Sequence, residues 1–213
     1  MLSDETIGWT LAAPQHQDPA YITILRGSLL VADPRDPLRF KMPIYALGEH
    51  RPEIHPEAWV MPEAVIIGRV RVGARATIWS GAVLRGDDNE IVVGEESSIQ
   101  DNCVLHVTDD FATVVGRRCT IGHSAHLEGC TIEDEALVGS GSVVLHEAII
   151  GARALVGAGA VVPGRMHVPP GAMALGTPAK IREGADTDPL ILPGIEKYIQ
   201  RGRTYREHLR LIE

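Results

Sequence analysis

Thr131-Ile132-Glu133-Asp134-Glu135-Ala136-Leu137-Val138-Gly139-Ser140-Gly141-Ser142-Val143-Val144-Leu145-His146-Glu147-Ala148-Ile149-Ile150 repeats a pattern every six residues. A β-branched aliphatic recurs at Ile132, Val138, Val144 and Ile150, and a small residue follows four places later at Ala136, Ser142, Ala148 and Ala154. Neither the period of a helix nor the alternation of a single strand gives this spacing. A hexapeptide period predicts a parallel β-helix. Three hexapeptides close one triangular coil, with the aliphatic pointing inward and the small residue near the corner, where a larger side chain would clash. No coil buries its inner face alone, so stability depends on stacking at about 4.8 Å.

The period continues outward in both directions. It runs on through Val156, Val162 and Val168. Past one deletion it runs back through Val115, Ile121 and Leu127, through Val93, Ile99 and Leu105, and through Val60, Ile66, Val72, Ile78 and Leu84. Two interruptions, 86–91 and 107–114, read as loops thrown out of the prism, where such scaffolds place function. Beyond the repeat, Ile195, Tyr198, Ile199, Tyr205, Leu209 and Ile212 follow helical spacing, with Lys197, Arg201, Arg203 and Arg206 on the other face. This predicts an amphipathic helix laid against the outside of the prism, a membrane-surface helix being the alternative. Gly202 should weaken it by about 1 kcal/mol relative to Ala. The expected organisation is an all-β fold with a weakly ordered extension over 1–41, a β-helix over 42–182 and a C-terminal helix over 183–213. Met42 is an alternative natural start.

Composition narrows the function. A chain of 213 residues suits one domain, and a formal charge of −8 argues against nucleic acid or an anionic membrane as partner. No stretch approaches the roughly 20 apolar residues of a membrane span. The first residues, Met1-Leu2-Ser3-Asp4-Glu5, lack the basic and apolar regions of a signal peptide. Cys103, Cys119 and Cys130 form no CxxC and leave an odd count, which points to a reduced, cytoplasmic protein.

Assigning the three sides in rotation puts Leu84, Leu105 and Leu127 on one side in successive coils. The residues after them, Arg85, His106 and Glu128, then form an outward column with His106 in the middle. His126 points out from the same strand as Glu128. His123 falls at the corner leading into this side, and Gln100 and Asp101 at the equivalent corner one coil below. Imidazoles and a carboxylate at this spacing suit a divalent metal such as zinc. The distance of His123 from the column calls for a neighbouring subunit's corner, hence a cyclic oligomer.

Val83-Leu84-Arg85-Gly86-Asp87, Ile99-Gln100-Asp101-Asn102-Cys103-Val104-Leu105-His106, Ile121-Gly122-His123 and Leu127-Glu128-Gly129-Cys130 resemble the gamma-class carbonic anhydrase family. The similarity covers about 42–182. It implies a left-handed β-helix, a homotrimer, and zinc, or iron or cobalt, bound by three histidines at subunit interfaces. Carbon dioxide and bicarbonate would be the substrates. His106 and His123 match two of those histidines, while the third position holds Glu128. Glu128 itself could ligate, or His126 could substitute; the column favours Glu128, since His126 lies diagonally from His106 by about 7 Å. By resemblance, Arg85 and Asp87 make active-site and inter-subunit contacts, Gln100 holds solvent at the metal, and Asp101 pairs with an arginine. Glu90 and Asp109 are weak candidates for proton transfer. Two rival readings are a structural or assembly subunit with a vestigial site, and a hexapeptide acyltransferase.

Overall fold

The computed structural model describes residues 43–212; the expected extension over 1–41 lies outside the described residues. The chain is a left-handed parallel β-helix of about seven turns with one C-terminal helix. One side stacks the strands Trp59–Val60, Thr77–Ile78, Ser98–Ile99, Thr120–Ile121, Leu137–Val138, Leu155–Val156 and Met173–Leu175, with Lys180–Arg182 antiparallel to the last. The second side runs through Val83, Val104–His106, His126–Glu128, Val143–Val144 and Val161–Val162. The third runs through Val93, Thr113–Val115, Thr131–Ile132, Ile149–Ile150 and His167–Val168.

The six-residue register is the one expected. Of the periodic aliphatics, Val60 is the most exposed, at only 6%, and Val144 is at 0%. Each such side chain taken from water contributes roughly 1.5–3 kcal/mol. The cysteines occupy the small-residue positions of this pattern: Cys103 follows Ile99, and Cys119 follows Val115, by four places. All three are free and buried, and burial pushes each thiol up to about 12. They are core residues standing where other coils carry Ala or Ser.

At one corner the backbone turns left-handed in successive coils at Arg75, Glu96, Arg118, Glu135 and Arg153. That conformation is unfavourable for side chains other than Gly, yet here the five side chains form a ladder of alternating charge. Arg75 Nε meets Glu96 at 2.9 Å, and Arg118 meets Glu96 at 3.1 Å and Glu135 at 3.2 Å. Arg153 completes the run on Glu135 at 2.8 Å. The ladder also reaches the helix, through Arg118–Glu196 at 2.7 Å and Arg153–Asp188 at 3.5 Å.

Two expectations are corrected. The segment 86–91 is not thrown out of the prism but lies inside the continuous strand Val83–Val93. It pairs with Val65–Val72 through a bulge, Gly68 opposing Gly86 and Val70 opposing Ile91. The Arg69 guanidinium holds the bulge by donating to the Asp87 and Asp88 carbonyls at 3.0 and 2.9 Å. A Cβ on Gly86 would lie 2.4 Å from the Arg69 carbonyl oxygen, so only Gly fits. The segment 107–112, by contrast, carries no strand.

The second correction concerns the helix. It runs Asp188–His208 and buries Ile191, Ile195, Ile199 and Gly202, so Leu209 and Ile212 fall beyond its end. Trp79 receives Tyr198 and Tyr205 edge-on at 5.9 and 4.9 Å. A Cβ on Gly202 would come within 2.5 Å of Thr77 Cγ2. The glycine is therefore what allows the helix to approach the sheet, rather than a flaw in it. Among the described residues no helix is long and apolar enough to cross a membrane.

Candidate functional site

The register places Leu84 beside Leu105 and Leu105 beside Leu127, all fully buried, so the next residue of each strand points out. Arg85, His106 and Glu128 are therefore direct neighbours in successive coils. His106 lies between two carboxylates, its Nε2 3.3 Å from Asp87 Oδ1 and its Nδ1 3.6 Å from Glu128 Oε1. Arg85 forms an ion pair with Asp87. The Asp87 contact lacks hydrogen-bond alignment, so among the described residues the buried His106 Nε2 has an ion-pair contact but no hydrogen bond. A buried ring nitrogen left in this state is an open coordination or hydrogen-bonding position.

Both carboxylates are held anionic. For Glu128, the hydrogen bond from His126 outweighs burial, and the carboxyl lies below the usual range. For Asp87, burial works to raise the value, but backbone N–H groups and Arg85 overcome it. His126 Nε2 approaches Glu128 Oε2 at 3.1 Å.

His123 occupies the next corner, above Asp101. Ser124 N donates to the Asp101 carbonyl, and His123 Nδ1 lies 2.8 Å from Asp101 Oδ2. Among the described residues Asp101 thus meets His123, its neighbour one coil up. Gln100 beside it is only 4% exposed. Of the two weak candidates for proton transfer, Glu90 is engaged by Arg71 at 2.7 Å, and Asp109 is exposed on the 107–112 segment.

One chain therefore gathers Arg85, Asp87, His106, His126 and Glu128, and keeps Asp101 and His123 at a separate corner. Among the described residues no group of three or more His, Cys, Asp or Glu side chains within the chain is arranged to hold a metal. Two imidazoles and a carboxylate remain a donor set that zinc accepts, and the unpartnered His106 Nε2 fits such a role. Sequence reasoning missed Arg69 and the Arg/Glu ladder. The ladder's signal was the alternation of sign at the corner position of successive coils.

A family model described as bacterial transferase hexapeptide (six repeats) matches residues 51–86 and 129–164. Fold and repeat together define a hexapeptide-repeat β-helix protein. A probable carbonic anhydrase from Methanocaldococcus jannaschii is 48% identical over 118 residues, which are 55% of this chain and 74% of that protein. Gamma carbonic anhydrase 1, mitochondrial, from Arabidopsis thaliana is 41% identical over 135 residues, 61% of this chain. The match spans about half (49%) of the Arabidopsis protein's length. A solved hexapeptide transferase family protein from Anaplasma phagocytophilum superposes with a TM-score of 0.73 at 34% identity, covering 78% of this chain and 99% of that one. The chain belongs to the gamma carbonic anhydrase family.

Proposed function

We propose that the protein is a carbonic-anhydrase-like lyase that hydrates carbon dioxide to bicarbonate with a divalent metal, zinc in preference to iron or cobalt, at an interface between copies in a homotrimer. His106 and Glu128 of one copy and His123 of a neighbouring copy would hold the metal. When bound, the metal supplies Lewis acidity, which brings the pKa of water down to about 7. The observation that carries this reading is the outward column: His106 sits between anionic carboxylates, and among the described residues its buried Nε2 makes no hydrogen bond.

The other residues bind and orient. Arg85 fixes the Asp87 carboxylate beside His106, keeping an anionic acceptor at the site's edge. Gln100 and Asp101 line the corner from which His123 projects, and the divided arrangement of the donors is what calls for a second copy. A carboxylate at 128 leaves the centre more negative than a third neutral imidazole would, which weakens its power to acidify water. The buried free thiols fit a reducing compartment, the cytoplasm.

The same carboxylate favours one second reading, an assembly subunit whose site is vestigial. Metal analysis and stopped-flow hydration separate the two. Glu128→Ala should lose most of its bound metal, and Glu128→His should raise hydration near neutral pH. Protein that takes up no zinc when zinc is supplied would overturn the enzyme reading in favour of the assembly subunit.

A further inference from the structure

The outward residue two places before Glu128 belongs to a column of its own. The strand register aligns Val83, Val104, His126, Val143 and Val161, so His126 is a single imidazole in a stack of valines. Nothing in the packing of this side asks for a ring there, since five other coils, that of Val65 included, fill the position with valine. The ring is half-buried, and its Nε2 makes a hydrogen bond with Glu128 Oε2 at 3.1 Å, side by side on the outer face of one strand. Glu128 in turn stands where the resemblance puts a third histidine. The two unusual residues of this strand thus bind each other.

We infer that His126 is a positioning residue for Glu128: it holds Oε2 and presents Oε1 on the side of His106. A free glutamate has three side-chain torsions, and a carboxylate that replaces a rigid imidazole as donor has more freedom to lose. A hydrogen bond to one oxygen removes much of that freedom before any cation arrives. Because a carboxylate only accepts, His126 Nε2 carries the proton, and the pairing concentrates the carboxylate's remaining acceptor capacity on Oε1. Oε1 already lies 3.6 Å from His106 Nδ1, the ring nitrogen away from Asp87. Outer partners that hold metal-binding side chains are worth 10–100-fold in affinity as a rule.

The inference rests on the metal-binding reading above, and the experiment separates the two. His126→Val restores the valine column, so the variant should fold and melt no lower than the parent. Its zinc dissociation constant should rise about 10–100-fold. In a Glu128→His background the same substitution should leave zinc affinity unchanged, because no carboxylate remains to be held. In metal-free protein, NMR couplings across the Glu128 side chain should report one rotamer in the parent and averaging in His126→Val. An equal loss of affinity in both backgrounds would show a merely structural role and overturn the inference, as would unchanged affinity with an unchanged rotamer. If His126→Val empties the site while Glu128→Ala stays filled, His126 is itself the ligand and the assignment is reversed. If the parent binds no zinc, the metal reading falls, and the rotamer measurement alone decides whether His126 positions Glu128.

Discussion

Two columns of charged side chains climb the same prism, and they differ in how completely they are satisfied. At the helix-side corner, Arg75, Glu96, Arg118, Glu135 and Arg153 alternate in sign, and each finds an opposite charge above or below. On the second side, Arg85, His106 and Glu128 stack in the same way, but His106 faces a carboxylate on each flank and, among the described residues, keeps a buried nitrogen without a hydrogen bond. The scaffold makes both columns by the same geometry. Compensation marks the first as structural; in the second, the hydrogen-bonding gap at His106 is the feature on which the proposed function rests.

The largest effect should come from breaking what both columns share. Val144 is fully buried in the coil above Leu127. Val144→Asp would put an unpaired charge in the prism, a penalty comparable with the whole roughly 5–15 kcal/mol stability of a domain. We expect no cooperative melt and no soluble protein. A variant that melted normally would show that the inward register is wrong.

A medium effect should separate the columns. Arg118→Ala removes one partner each from Glu96, Glu135 and Glu196, leaving Arg75 on Glu96 and Arg153 on Glu135. Exposed pairs are worth about 0.2–1 kcal/mol each, so a loss of about 1–2 kcal/mol is expected by thermal melting, with zinc uptake unchanged. The pH dependence has a definite sign. Glu135 is held below its ordinary value by Arg153, helped by Arg118 and opposed by burial; Glu96 is also lowered, because the arginines overcome burial. Groups lowered by folding stabilise above their unfolded pKa, about 4.3 for Glu, and lose that contribution as pH falls through the folded value. The gap in melting temperature between parent and Arg118→Ala should therefore narrow as pH drops below about 4.3. A gap independent of pH would mean that the ladder contributes packing, not charge.

The smallest effect concerns the helix that the ladder anchors. Propensity alone would make Gly202→Ala stabilising by about 1 kcal/mol, whereas the Cβ would meet Thr77 Cγ2 at 2.5 Å. We expect a slightly lower melting temperature for Gly202→Ala. Adding Thr77→Ser should recover it, because the methyl is removed while a hydroxyl remains for Trp79 and Ser98.

The six-residue period made the core legible, because inward aliphatics and corner residues must repeat wherever coils stack. The His106 column followed from that register with no knowledge of the chemistry. The Arg/Glu ladder was equally periodic, but its members are 21, 22, 17 and 18 residues apart, since the bulge, the 107–112 segment and one deletion change the length of a coil. Gly202 was misjudged because its reason for being small lies in Thr77, far away in sequence. The 86–91 segment looked like a loop because the extra residues break the period, while the Arg69 guanidinium that keeps them in the sheet leaves no pattern.

That bulge also bears on how such a site can change over generations. Between Gly68 and Val70 on one strand and Gly86 and Ile91 on the other, the register opens and then closes again with every later coil in place. Asp87, at the lip of the site, lies within this opening. Such an arrangement works as an expansion joint: chain can be inserted or trimmed there while the stack above keeps its phase. A lineage can therefore remodel the entrance to the site without disturbing its floor.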